Sequence, residues 1–215
     1  MPSTTVMMSI GILVISFILG FLFYFLLANE AKERKKQHAE NIVSLLINFI
    51  LYIWIGKIVI HINLFVQDPL AVLAYPSDSR AFYMASVLIM VNIYYLVTKK
   101  RQAGRPLFNT FVPVFIAASF IFEFTQLVIY KNDNVWLILF LWMLLLIGYV
   151  LIYGKWANTL VNVIFAIASL IILCILSLIK DTVTIFGYMI SPFYFISLLI
   201  LVFIIIVYSN RRKVS

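Results

Sequence analysis

One cysteine, two histidines and seven glycines are spread over 215 residues, and charged side chains make up only 11% of the chain. Each scarcity excludes a chemistry. Cys174 alone cannot form an intramolecular disulfide, a CxxC redox pair or a multi-thiolate metal site. With His38 in a basic stretch, the two histidines cannot give bis-histidine haem ligation inside a membrane. No glycine-rich phosphate loop, GxSxG elbow or HExxH pair occurs. No catalytic residue, metal or cofactor is expected from this pattern.

What is present is apolar side chain in long runs. Hydrophobic residues make up 65%, against roughly 45–50% in soluble domains. That much apolar surface exposed to water would drive association. Seven runs lie near residues 7–28, 42–65, 81–98, 108–130, 135–153, 157–179 and 183–208. A helix rises about 1.5 Å per residue, so ~20 residues cross the hydrocarbon core. Five runs carry no charged side chain, and the second and fourth carry one each, Lys57 and Glu123. The expected fold class is all-α: a single polytopic transmembrane domain, 1–215, with seven helices.

Basic residues mark alternate gaps. Segments 29–41, 99–107, 154–156 and 209–215 hold twelve of the sixteen Lys and Arg residues, while the opposite side holds Arg80, Lys131 and Lys180. Under the positive-inside rule this predicts an outside N-terminus and a cytoplasmic C-terminus. Asp68, Asp78, Asp133 and Asp181 fall on the outer side. The first run is about 22 residues long, no Lys or Arg precedes it, and Lys32, Arg34, Lys35 and Lys36 follow it. A retained helix is favoured over a cleaved signal. The net charge of +8 sits in short gaps, where anionic headgroups explain it without nucleic acid. The expected partners are the lipid bilayer and other membrane-protein subunits.

The gaps themselves carry structure. Residues 29–41 read as a helical extension, with Glu30 and Arg34 spaced i,i+4. In the outer segment 66–80, Asp68 before Pro69 fits an N-cap, and 69–75 an interfacial helix. Pro76 to Ser79 should end that piece and cap the third span. Short connections predict that sequence neighbours pack together. The run 135–153 has no charge, amide or hydroxyl beyond Tyr149 and Tyr153 and is expected at the lipid-facing periphery. Ser16 and Gly20 make a small-xxx-small pair for close packing within the molecule. Pro192 is expected to kink the last span beside Gly187, Tyr188, Ser191 and Tyr194.

The candidate site is a polar cluster within the apolar runs. Lys57 and His61, four residues apart, stack on one helix face. Glu123 belongs to the stripe Ser119, Glu123, Gln126, Tyr130 at helical spacing. Lys57 and Glu123 both lie ~10–12 Å below the outer ends of their runs, which makes them natural partners for an ion pair. Lys57 snorkelling alone, His61 as a boundary residue and a structural ion pair are the plainer alternatives. Asp68, Asp78 and Arg80 complete the outer polar set, and Asn48, Asn63, Asn92 and Asn162 are expected to bridge helices. The favoured function is a small permease, channel-like protein or transport-complex membrane subunit. A non-catalytic assembly, immunity or sensor-partner protein comes next, and a lipid-modifying enzyme using His61 with Glu123 or Asp68 is least favoured. Richness in isoleucine, phenylalanine and lysine points to an A·T-rich bacterial genome and a plasma-membrane protein.

Overall fold

Hydrocarbon offers no hydrogen-bond partner to the backbone, so uninterrupted apolar runs fold as helices that satisfy their own amides. The computed structural model describes residues 4–69, 72, 78–99, 104–131, 135–179 and 183–211, and it is nearly all helical. Helix α1 (Thr4–Leu27) is followed by α2 (Lys32–Ile60) and the short α3 (Ile62–Gln67). Then come α4 (Ser79–Thr98), α5 (Gly104–Tyr130), α6 (Trp136–Ile152) and α7 (Asn158–Ile179). Strands β1 (Val183–Ile185) and β2 (Tyr188–Ile190) form an antiparallel hairpin before α8 (Pro192–Arg211). Among the described residues, α1 from Met8, α2, α4, α5 and α7 are long and apolar enough to cross a membrane, whereas α6 has only 17 residues. These helices are the make-up of a multi-pass integral membrane protein.

The central helix is α5, the most buried of the five. It packs chiefly on α1, with α6, α7 and part of α2 around it. Gly20 explains the α1 contact. A Cβ there would sit 2.7 Å from the Val114 carbonyl oxygen and 3.2 Å from the Ala118 Cβ, so only hydrogen fits. Ser16, one turn earlier, is wholly buried and donates to the Ile12 carbonyl at 2.7 Å. The small pair read from the sequence thus works inside the molecule. Helix α2 makes a similar close approach to α4, where Gly56 faces Ala81.

Several expectations are corrected. Residues 28–31 join α1 to α2, yet α1 rests on α5 and α2 on α4, so these neighbours diverge. The cause is the small-residue seams, which hold each helix more closely than a short link can. The segment 29–41 is helical only from Lys32, and Glu30, outside the helix, meets His38 at 3.1 Å rather than Arg34. The second run is broken at His61, whose φ of −113° and ψ of 37° leave α3 as a separate turn. Helix α6 is not purely lipid-facing: Trp142 and Tyr149 bury one face of it against α5 and α7. The interfacial helix expected over 69–75 lies outside the described residues except for Pro69 and Val72.

The largest correction is 183–190, expected as the kinked start of the last span. It is a hairpin with a two-residue turn at Phe186 and Gly187, whose φ values are 50° and 85°. Both values are positive, as the turn that best matches strand twist requires. Pro192 opens α8 instead of kinking it. Its missing N–H costs nothing at a first helical position.

Candidate functional site

The hairpin brings the polar residues into one region. Its first strand packs by α7 and its second against α4. Ser79 Oγ donates to the Met189 carbonyl, and the Ser191 N–H donates to Tyr83 Oη at 2.9 Å. Tyr194 Oη donates to Ser86 Oγ at 2.8 Å, and the Tyr83 and Tyr194 rings stack 5.1 Å apart. Non-helical backbone within a membrane survives only where protein or water supplies such partners.

Phe186 stands at the tip. A bulky side chain at positive φ costs ~1–2 kcal/mol. The compensation is aromatic. Its ring centroid lies 5.1 Å from Phe17 of α1 and 5.4 and 5.8 Å from Phe122 and Phe115 of α5. At ~0.5–1.5 kcal/mol per pair beyond area burial, three contacts outweigh the strain. Phe17 lies ~20 Å along α1 from Thr4 and ~15 Å from Leu27, so the tip reaches the middle of the bundle.

Tyr188, two residues on, faces the other way. It packs on the cluster of Ile53, Ala81 and Ala85, with its ring 5.0 Å from Phe82. The turn therefore bridges the α1–α5 seam to the α2–α4 seam. Lys57 lies one turn beyond Ile53 on α2, and Glu123 follows Phe122 on α5. Both charged side chains are buried, Lys57 at 8% and Glu123 at 4% exposure. Ser119 lies between Phe115 and Phe122 on that stripe, and its buried hydroxyl has no hydrogen-bond partner among the described residues.

The outer polar set gathers around Asp78, the N-cap of α4. One carboxylate oxygen accepts from the Arg80 N–H at 2.8 Å, and the other lies 3.3 Å from His61 Nε2. An ionised carboxylate only accepts, so Nε2 carries the proton in that contact. Asp78 is also the opposite charge that acts on Lys57. The break after α2 and the cap of α4 thus bring His61 to Asp78, with Lys57 one turn before His61 on the same helix. Gln126 is half-buried on α5, Asp68 is exposed as the C-cap of α3, and the Arg80 side chain is exposed.

A second polar network lies at the other end of the bundle. Tyr149 Oη donates to Asn162 Oδ1 at 2.7 Å, Asn162 Nδ2 to Asn109 Oδ1 at 3.1 Å, and Asn109 Nδ2 to Thr159 Oγ1 at 3.2 Å. It locks α5, α6 and α7 together, the bridging use expected for Asn162; Asn92 likewise donates to Tyr52 Oη at 2.9 Å. Asn63 is exposed on α3. Asn109 and the hairpin tip were missed from sequence. Asn109 precedes Pro113 by four residues, a spacing that marks a freed carbonyl within α5.

Comparison with protein families, curated proteins and solved structures finds no match to this chain. Among the described residues, no group of three His, Cys, Asp or Glu could hold a metal ion.

Proposed function

We propose that this is a seven-span plasma-membrane protein of bacterial origin, N-terminus outside and C-terminus cytoplasmic. Its role is that of a small permease or the membrane subunit of a transport complex. One observation carries the reading: a non-helical hairpin enters the bundle from the Asp78 end and its tip packs into a cluster of aromatic rings, with buried Glu123 next to Phe122 of that cluster and buried Lys57 one turn beyond Ile53. Irregular backbone at membrane depth belongs where protein or a water-filled cavity surrounds it, and hydrophobic constrictions close pores by excluding water. The polar groups around Asp78 form the outer vestibule, and Lys57 and Glu123 compensate each other across it.

The span count rests on length and flanks. Helix α8, with 20 residues, is ~30 Å long and matches the hydrocarbon core. Helix α6 reaches only ~26 Å, a mismatch that local thinning absorbs, with Trp136 and Tyr153 as interfacial anchors at its ends. In a Cys174→Ser background, single cysteines at Ser3, Ser77 and Asn132 should react with an impermeant thiol reagent in intact cells. Cysteines at Gln37, Gln102 and Ser215 should not, and labelling of Gln37 from outside would invert the orientation.

Flux tests the role. Phe186→Gly removes both the strained conformation and the plugging ring. Losing three ring contacts should raise passage of small polar solutes into proteoliposomes by about tenfold or more over wild type. Solute entry no faster than into empty liposomes, for both proteins, would overturn the transport role and leave the accessory one.

A further inference from the structure

The divergence of α1 from α2 leaves a groove of about 550 Å³ between them at the end where α1 stops and α2 begins. Phe21 and Phe25 form one wall, and Val43 and Ile47 the other. Lys36 and Glu40 stand at the mouth, their Nζ and Oε1 atoms 3.9 Å apart. Lys35 Nζ donates to the Phe25 carbonyl at 2.9 Å and ties the end of α1 to the start of α2. From Lys36 to Ile47 the groove runs ~16 Å along α2, about half of a ~30 Å hydrocarbon core. Ile47 lies five residues, ~8 Å, inside the run that starts near residue 42, so the apolar floor meets the upper acyl region and the charged mouth stands in the headgroup layer.

The volume falls within the roughly 300–1,000 Å³ of small-ligand sites. The mouth decides the headgroup. Its lining carries one cation, Lys36, and one anion, Glu40, a single helical turn apart and both well exposed, while Lys35 is engaged by the Phe25 carbonyl. That arrangement complements a headgroup with a phosphate and a hydrogen-bonding ammonium. A choline headgroup has no N–H to donate, and a glycerol headgroup has no cation for Glu40.

We propose that the α1–α2 groove is a binding site for a zwitterionic aminophospholipid of the phosphatidylethanolamine type, its acyl chain against Phe21, Phe25, Val43 and Ile47, its phosphate on Lys36 and its ammonium on Glu40. On the topology proposed above, the site opens to the cytoplasmic leaflet. It does not depend on the transport role.

Delipidated full-length protein in detergent, titrated with phosphatidylethanolamine, phosphatidylcholine or phosphatidylglycerol and read by native mass spectrometry, tests this. The ethanolamine lipid should be retained about fivefold better than either other lipid, the worth of one exposed charged contact. Glu40→Lys should shift the preference to phosphatidylglycerol, and the milder Glu40→Gln should abolish it without changing the far-ultraviolet dichroism. Val43→Trp with Ile47→Trp should reduce retention of all three lipids. Equal retention of the three lipids, a preference unaltered by either Glu40 change, or a second protein copy in place of lipid would overturn the site.

Discussion

Gly20→Leu is expected to abolish most folded, monodisperse protein in detergent, while Gly11→Leu leaves the thermal midpoint nearly unchanged. The two glycines share a helix and differ in what surrounds them. A Cβ at Gly20 meets the Val114 carbonyl at 2.7 Å and the Ala118 amide nitrogen at 3.3 Å, whereas one at Gly11 meets nothing within 4 Å. Backbone atoms of the central helix cannot swing aside as a side-chain terminus can. Overpacking costs ~1–3 kcal/mol even where side chains can adjust, and more where they cannot, against a total stability of ~5–15 kcal/mol. Equal midpoints for the two variants would show that the α1–α5 seam is not the close contact described.

Lys57→Met and Glu123→Gln are each expected to lower stability by ~3–5 kcal/mol, with the double variant closer to wild type than either single change. Both groups are buried, and on the pairing proposed above the loss of one strands the other charge in a poor solvent for it. The double-mutant cycle isolates the coupling. Asp78 acts on Lys57 as well, so Lys57→Met combined with Asp78→Asn gives the competing arm. Sparing confined to the Asp78 combination would reassign the Lys57 partner and leave Glu123 to the Ser119–Gln126 stripe. If the charges serve permeation, the Lys57/Glu123 double variant should fold yet pass no solute faster than empty liposomes.

The helices were legible in the sequence because length and hydropathy alone force helix in hydrocarbon. The roles of Gly20, Asn162 and Asp78 were legible for equally local reasons: a small residue at helical spacing, a buried amide and a capping carboxylate each have few uses. The hairpin was not legible. Val183 to Ile190 is an almost uninterrupted apolar run, and short apolar runs do not distinguish strand from helix by periodicity. Its turn uses Phe186–Gly187 in place of the Asn–Gly pair that signals such turns, because the ring is held by contacts from two distant helices. Nor was the α1–α2 divergence legible, since loop length limits how far helices can separate without dictating that they touch. The hidden face of α6 had a comparable cause: Tyr149 reads as an interfacial residue until Asn162 supplies its partner.

The α1–α5 seam also sets a waiting time during synthesis. Val114 lies about 95 residues after Gly20, and at ~5–20 residues per second the ribosome needs ~5–20 s to deliver it. Helix α2 does not cover the Ser16 and Gly20 face in the finished protein, so the first helix to emerge remains without its lasting neighbour through much of translation. The insertion machinery, or lipid, must shield that face until α5 arrives. The α1–α5 seam joins helices separated by the intervening α2 to α4, not sequence neighbours.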